Sequence, residues 1–393
     1  MFRSSYDRIP GEPSGQLTLD LPDIPFAYGP GRHGIGTMGD IQQPLVEFLP
    51  VPHPLDFDWR FDTPTRVLLL HLMQRIAVHE SDELVFLGAP SLFQSAQALG
   101  MARRCTLLDA CPATVSALKR SPWAKIHRVD ILSGQLPQIS AALVMADPPW
   151  YEEFTRAFLW VADQLVRLGG TVLLSTPPLG TRPNIEEESR RTVAFARELG
   201  LELRGLDACL RYISPPFEQN ALRAASQAGV PEDWRTGVLA RFDKVRPSTS
   251  GRPVVENARN NWMERTAFGV RLAFRRGQVQ RIKDPRLVRI VDGDILDTVS
   301  RRDPRRKFAD VWTSGNRVFA CADTETLTAV VDAIRERRRP ESYIEGFLRT
   351  RLARAEQEAV SEATRQVSAV LLRELEEYAL AWGGDNEGLA IRV

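Results

Sequence analysis

Residues 141–151 read AALVMADPPWY, an apolar run that ends abruptly in an acid, two prolines and two aromatic residues. Six apolar residues bounded by turn formers predict a strand buried on both faces. Pro148 and Pro149 remove two N–H donors and fix two φ angles, and each holds the residue before it extended. The turn is therefore stiff. In an open α/β sheet, ligands bind beyond the carboxyl ends of the strands, so Asp147 points its carboxylate where a ligand would lie.

Working outward, the same kind of run recurs. ELVFLG (83–88), RCTLLDA (104–110), KIHRVDI (125–131), TVLLSTP (171–177), LELRGLDACL (201–210) and GVLARFDKV (237–245) read as further strands. Between them, SLFQSAQALG (91–100), PATVSALKR (112–120), EEFTRAFLWVADQLVRLGG (152–170) and NIEEESRRTVAFARELG (184–200) read as helices. TRVLLLHLMQRIAVH (65–79) forms a preceding helix with Thr63 as its cap and Pro64 in its first turn. Alternating strands and helices predict an α/β domain with a doubly wound, mostly parallel sheet over residues 56–245. Residues 1–55 are rich in Pro and Gly but carry Phe26, Tyr28, Leu45 and Phe48, which predicts an extended N-terminal arm lying on the domain. After the linker RPSTSGRP (246–253), residues 246–393 predict a smaller α+β C-terminal domain. AFGVRLAFRR (267–276) and RLVRIVDGDIL (286–296) are its strands, residues 324–339 a helix, and residues 342–382 one long helix.

An amine whose lone pair is delocalised into a ring is a poor nucleophile. A carboxylate and a proline carbonyl that accept its two N–H bonds stabilise charge growing on the nitrogen and turn the lone pair toward an electrophile. Aromatic rings can stack on the planar group that carries the amine. Asp147, Pro148, Pro149, Trp150 and Tyr151 supply these parts. At this point the sequence resembles the class I S-adenosylmethionine-dependent methyltransferases that modify amino groups, the adenine-modifying enzymes among them, through their Asp-Pro-Pro-aromatic signature. The resemblance covers residues 60–245 and implies a Rossmann-like methyltransferase fold with S-adenosylmethionine as cofactor. It further implies cofactor-binding residues at Gly88, Ala89 and Pro90 after the first strand, Asp109 after the second and Asp130 after the third. The first loop has one glycine where the family has two or three. A carboxylate at the tip of the second strand can accept ribose hydroxyls, as Asp109 would, although Asp is also a common helix cap.

Three functions stay open. The first is methyl transfer to an amine nitrogen, with an exocyclic amine of a nucleobase as one acceptor and a protein amine as another. The second is an aminopropyl transferase that uses decarboxylated S-adenosylmethionine and a polyamine; such enzymes resemble the same layout, and Glu152 and Glu153 suit a polycation. The third is an inactive binding module. An acidic acceptor pocket favours the polyamine and a basic one favours nucleic acid. Tyr212, Ser214, Pro215, Pro216 and Phe217 follow the sixth strand and are candidates for that pocket.

The remaining features narrow the field. With 51 basic and 50 acidic residues the chain has no global attraction to polyanions. Local clusters at 275–283 (RRGQVQRIK), 300–307 (SRRDPRRK) and 335–339 (RERRR) could track phosphates or face solvent. The cysteines Cys105, Cys111, Cys209 and Cys321 show no metal-ligand spacing and read as buried apolar residues; the five histidines do not cluster, so no metal is expected, and His71 reads as a core residue. No apolar run suits a signal peptide or a membrane span, which points to a cytoplasmic protein. Apolar residues of 342–382, such as Ile344, Phe347, Leu352, Val360, Val367, Leu371, Leu375 and Leu380, form a stripe that fits its own domain, a homodimer or a partner protein.

Overall fold

The computed structural model describes residues 49–101, 104–119, 125–226, 235–255, 261–276, 284–349 and 351–382. Most of the expected arm, and the cluster at 277–283, lie outside them. The described residues all fall within one compact unit, Pro44–Val393.

The apolar runs become an eight-stranded sheet. In chain order its elements are β1 (Arg60–Phe61), α1 (Thr63–Ile76), β2 (Leu84–Leu87), α2 (Pro90–Ala98), β3 (Cys105–Asp109), α3 (Pro112–Leu118) and β4 (Lys125–Arg128). They continue with β5 (Ala141–Ala146), α4 (Glu152–Leu165), β6 (Val166–Thr176), α5 (Ile185–Glu198), β7 (Leu201–Ile213), α6 (Pro216–Ser226) and β8 (Thr236–Lys244). The strand order is β1-β7-β8-β6-β5-β2-β3-β4. Strands β2 to β6 pair in parallel, whereas β8 runs antiparallel to both β6 and β7. Alternate residues of each strand face opposite ways, so the sheet has two cores. Phe86, Leu107, Leu143 and Met145 pack under α1 and α2 on one face; Val85, Leu108, Val144 and Leu174 pack under α4 and α5 on the other. Each such buried side chain contributes about 1.5–3 kcal/mol.

Four sequence expectations need correction here. The helix predicted over 152–170 stops at Leu165, and Val166 opens β6 with extended backbone. Val166 is β-branched, and Gly169 and Gly170 are poor helix formers. A Cβ on Gly170 would also lie 2.9 Å from the Ala142 carbonyl, so the strand needs glycine there. The cap of α1 is Asp62, whose side chain accepts the Thr65 N–H at 2.8 Å, rather than Thr63. His71 lies on the exposed face of α1; the buried histidine is His53, which bonds the Trp312 carbonyl at 3.0 Å and whose pKa burial lowers to about 4. Cys209, too, is exposed rather than buried.

The C-terminal region folds as a separate five-stranded sheet covered by helices. It comprises β9 (Trp262–Ala267), β10 (Val270–Arg275), β11 (Val288–Arg289), β12 (Val311–Thr313) and β13 (Val318–Ala320), in the order β11-β13-β12-β10-β9. The strand expected over 267–276 is β10, shortened by the turn at Phe268 and Gly269 and paired in a hairpin with β9, whereas 286–296 contributes the two residues of β11 and an isolated bridge at Ile295. Helices α7 (Thr324–Arg335), α8 (Pro340–Leu348) and α9 (Arg354–Trp382) close the domain. The long helix expected over 342–382 is thus two, broken at Arg349, which adopts left-handed backbone with φ 52°. Ile344, Leu352, Val360, Val367 and Leu371 pack into their own domain's core. These members of the stripe are spent internally, whereas Phe347 is exposed. Among the described residues no helix is long and apolar enough to cross a membrane.

Candidate active site

Strand β2 pairs with β3 on one side and β5 on the other, so the chain's direction of travel across the sheet reverses there. That is the switch point at which such sheets bind ligands. The strand ends are stitched together: the Asp147 N–H donates to the Leu87 carbonyl at 3.1 Å, and the Gly88 N–H to the Leu108 carbonyl at 3.0 Å. Gly88 has φ 62°, and a Cβ there would stand 3.1 Å from Phe158 and 3.4 Å from the Asp147 carbonyl. One glycine thus serves both the left-handed turn and the close approach.

Asp147 accepts hydrogen bonds on Oδ1 from the Ser175 hydroxyl and, at 2.9 Å, from the Tyr212 hydroxyl. Ser175 and Tyr212 lie one residue from the ends of β6 and β7, so three strand ends converge on one carboxylate. Burial raises the Asp147 pKa to about 7, against the two hydrogen bonds, which pull it down. Both donors use Oδ1. Among the described residues no hydrogen bond reaches Oδ2 or the Pro148 carbonyl, whereas the Pro149 carbonyl takes the Tyr151 N–H at 2.7 Å. Trp150 stands edge-on to Tyr212, with ring centroids 5.5 Å apart. The Arg235 guanidinium lies 4.1 Å from the Trp59 ring and 5.4 Å from the Trp150 ring, and pairs with Glu218 at 2.6 Å.

Two cavities meet at Asp147, Pro149 and Phe57. The first, of about 450 Å³, is bordered by Gly88, Pro90, Asp109 and Asp130, and roofed by the C-terminal domain through Trp262, Trp312 and residues 301–307. The second, of about 490 Å³, is bordered by Pro148, Trp150, Tyr151, Tyr212 and Arg235. Of the residues proposed for catalysis and cofactor binding, only the buried Ala89 borders neither, and of the acceptor-pocket candidates Ser214, Pro215, Pro216 and Phe217 border neither. Asp109 also accepts the Cys111 N–H at 2.7 Å, so it shapes the turn into α3 while facing the cavity. Asp130 accepts the Leu132 N–H at 3.0 Å and the Ser133 hydroxyl at 2.9 Å.

The charges of the second cavity are mixed: Asp147, Glu218 and Asp297 against Arg182, Arg235 and Arg302. Glu152 and Glu153 do not border it; they pair with Arg191 at 2.7 Å and Arg301 at 3.1 Å. The cluster SRRDPRRK folds inward over both cavities, and Arg301 donates its backbone N–H to the Tyr151 hydroxyl at 3.2 Å. Of the candidates after β7, Tyr212 joins the site, while Pro216 opens α6. Sequence reasoning passed over Ser175, Phe57, Trp59, Glu218 and Arg235. Ser175 was findable, since it lies one residue from a strand end at the same sheet edge.

No protein-family model matches the sequence, and no curated protein matches it. Solved structures do resemble it in fold. One is a branched-chain polyamine synthase mutein from Thermus thermophilus, with 17% identity over 54% of this chain and 64% of that one, TM-score 0.46. Another is an RNA methyltransferase, so described without proof of activity, from Pyrococcus horikoshii, with 17% identity over 50% and 90%, TM-score 0.38. A third is an N-methyltransferase from Bradyrhizobium japonicum in complex with S-adenosyl-L-homocysteine, with 14% identity over 47% and 87%, TM-score 0.32. This chain spans 64% of the length of the polyamine synthase it resembles. The strand order itself, independent of these likenesses, is that of a doubly wound, Rossmann-like sheet with β8 antiparallel to both its neighbours.

Proposed function

We propose that the protein transfers a methyl group from S-adenosylmethionine to an amine nitrogen carried on a planar group. The observation that carries this reading is Asp147: a half-buried carboxyl with one oxygen tied to two hydroxyls, the other unspent, set in the wall between two cavities. The first cavity suits the cofactor. Gly88 allows close backbone approach, Asp109 is placed to accept from ribose hydroxyls, and Asp130 stands where an adenine amine could donate. S-Adenosylmethionine would supply an activated methyl group on a sulfonium. The second cavity suits the acceptor. Asp147 Oδ2 and the Pro148 carbonyl would accept its two N–H bonds, and Trp150 and Tyr151 would wall the planar group. Mixed charge around that cavity favours neither a polycation nor a long polyanion, and with the aromatic walls it supports a single planar amine, such as a nucleobase, as the acceptor.

Calorimetric titration with S-adenosylmethionine and S-adenosylhomocysteine tests this. Micromolar binding that Asp109→Ala weakens at least tenfold is expected. Absence of binding at millimolar ligand would sink the reading. A preference for decarboxylated S-adenosylmethionine would transfer it to aminopropyl chemistry.

A further inference from the structure

The roof of the first cavity carries cations, and all but one of its arginines are engaged. Arg275 clamps main-chain carbonyls, that of Ala309 at 2.6 Å and that of Arg306 at 3.2 Å. Arg301 pairs with Glu153 at 3.1 Å. Arg306 differs. Its guanidinium lies over Trp312, 4.1 Å from the ring centroid. Among the described residues no carboxylate stands within ion-pair distance of it, and its Nη1 is buried without a hydrogen-bond partner. Burial lowers its pKa to about 10, so it stays charged at neutral pH. A desolvated cation lacking a counter-ion is costly, and an anion entering the cavity would offset that cost through charge-assisted hydrogen bonds. The side chain is also held in place. It sits on a 3-10 turn, Pro304–Phe308, started by Asp303, which accepts the Arg305 N–H at 2.8 Å, and its carbonyl is gripped by Arg275.

We infer that Arg306 binds the α-carboxylate of the cofactor's amino-acid tail, making the C-terminal domain part of the cofactor site. The inference rests on the cofactor reading proposed above. Arg306 borders the cavity of Gly88, Asp109 and Asp130 and not the one beside Trp150, so the anion belongs to the cofactor rather than to the acceptor. The consequence is selective. Decarboxylated S-adenosylmethionine has no group for Arg306, so this residue separates methyl donors from aminopropyl donors.

The test compares S-adenosylhomocysteine, which has the carboxylate, with 5′-methylthioadenosine, which lacks the whole tail. Both are titrated calorimetrically into the full-length wild type, Arg306→Ala and Arg306→Lys. Arg306→Ala should weaken S-adenosylhomocysteine tenfold or more and leave 5′-methylthioadenosine within about twofold, and Arg306→Lys should recover part of the loss. Should Arg306→Ala melt early, Arg306→Met, which keeps methylenes over Trp312, gives the same contrast. Equal loss for both ligands, or none for S-adenosylhomocysteine, overturns the inference while wild-type binding keeps the cofactor reading. Wild type that binds neither ligand overturns both.

Discussion

Asp147 accepts hydrogen bonds from Ser175 and Tyr212; Glu374, on α9, accepts them from Thr313 at 2.5 Å and Tyr378 at 2.7 Å. Burial raises both carboxyls to a pKa of about 7. The chemistry is nearly the same, yet the surroundings differ. Glu374 receives one hydroxyl on each oxygen, has Arg317 Nε 3.4 Å away, and is sealed by Gly315, whose Cβ, if present, would collide with the carboxyl group. Arg317 is shared with Asp294 and Glu377, and Arg373 pairs with Asp294 at 2.9 Å. Both guanidiniums are thus engaged by Asp294 and Glu377, while burial favours the neutral form of Glu374. Asn220 on α6 joins this knot to the first sheet, donating to the Gly315 carbonyl at 3.0 Å and to Glu377 at 2.8 Å. Asp147 instead keeps Oδ2 unspent between two cavities. A carboxyl dressed with hydroxyls and raised in pKa is therefore not a reaction centre by those marks alone. An uncommitted oxygen with room beside it makes the difference.

The comparison breaks most sharply under isosteric substitution. Asp147→Asn should lower turnover by about a thousandfold or more, close to 4 kcal/mol of transition-state stabilisation. Glu374→Gln should leave turnover within about twofold. Equal loss in a Glu374→Gln protein that melts normally would show that the knot belongs to the reaction after all. The next effect is on stability. Arg317→Ala leaves Asp294 and Glu377 without their shared partner and should cost about 3–5 kcal/mol in urea unfolding. Arg235→Ala near Asp147 should cost less, because the buried Glu218 keeps its bond from the Trp59 indole at 2.7 Å once the Arg235 pair is gone. Comparable losses would mean that the second cavity is also a structural knot.

The pH dependence sharpens the pair further. Each carboxyl binds its proton more tightly folded than unfolded, so each contributes stability that is complete below about pH 4 and is lost as pH rises through 7. Between those limits each steepens the decline by up to about 1.4 kcal/mol per pH unit. Urea midpoints measured from pH 4 to 8 should flatten in Asp147→Asn and again in Glu374→Gln. Activity should run the opposite way and rise through pH 7, because the ionised form of Asp147 is the one that stabilises charge on the acceptor nitrogen.

The first sheet was legible because runs such as LVFL and ALVM are long enough to be recognised as buried strands. The second was not, because β11, β12 and β13 have two or three residues each, too few for a period. The break at Arg349 carried no proline or adjacent glycine to announce it. In the site, Asp147 to Tyr151 could be picked out because consecutive prolines after a strand leave little else to infer. Phe57, Trp59 and Arg306 could not, since only the packing of distant segments brings them to the cavities. The arginines of SRRDPRRK resembled a solvated or phosphate-tracking patch for the same reason. Charge is visible in a sequence, but its facing is not.

The smallest effect separates the two tyrosines. Tyr212 lowers the pKa of Asp147 by donating to it, so Tyr212→Phe should raise that pKa and move the rising limb of the rate profile about one pH unit upward, with turnover at pH 9 nearly restored. Tyr378 donates to Glu374 in the same way, but Glu374 borders neither of the two cavities, so Tyr378→Phe should leave the limb in place and lower stability by about 1 kcal/mol. The discriminating result is the plateau. If Tyr212→Phe instead lowers turnover equally at every pH, the hydroxyl positions the acceptor or the Trp150 ring rather than tuning the acid. An uncommitted Oδ2 would then matter for geometry and not for charge.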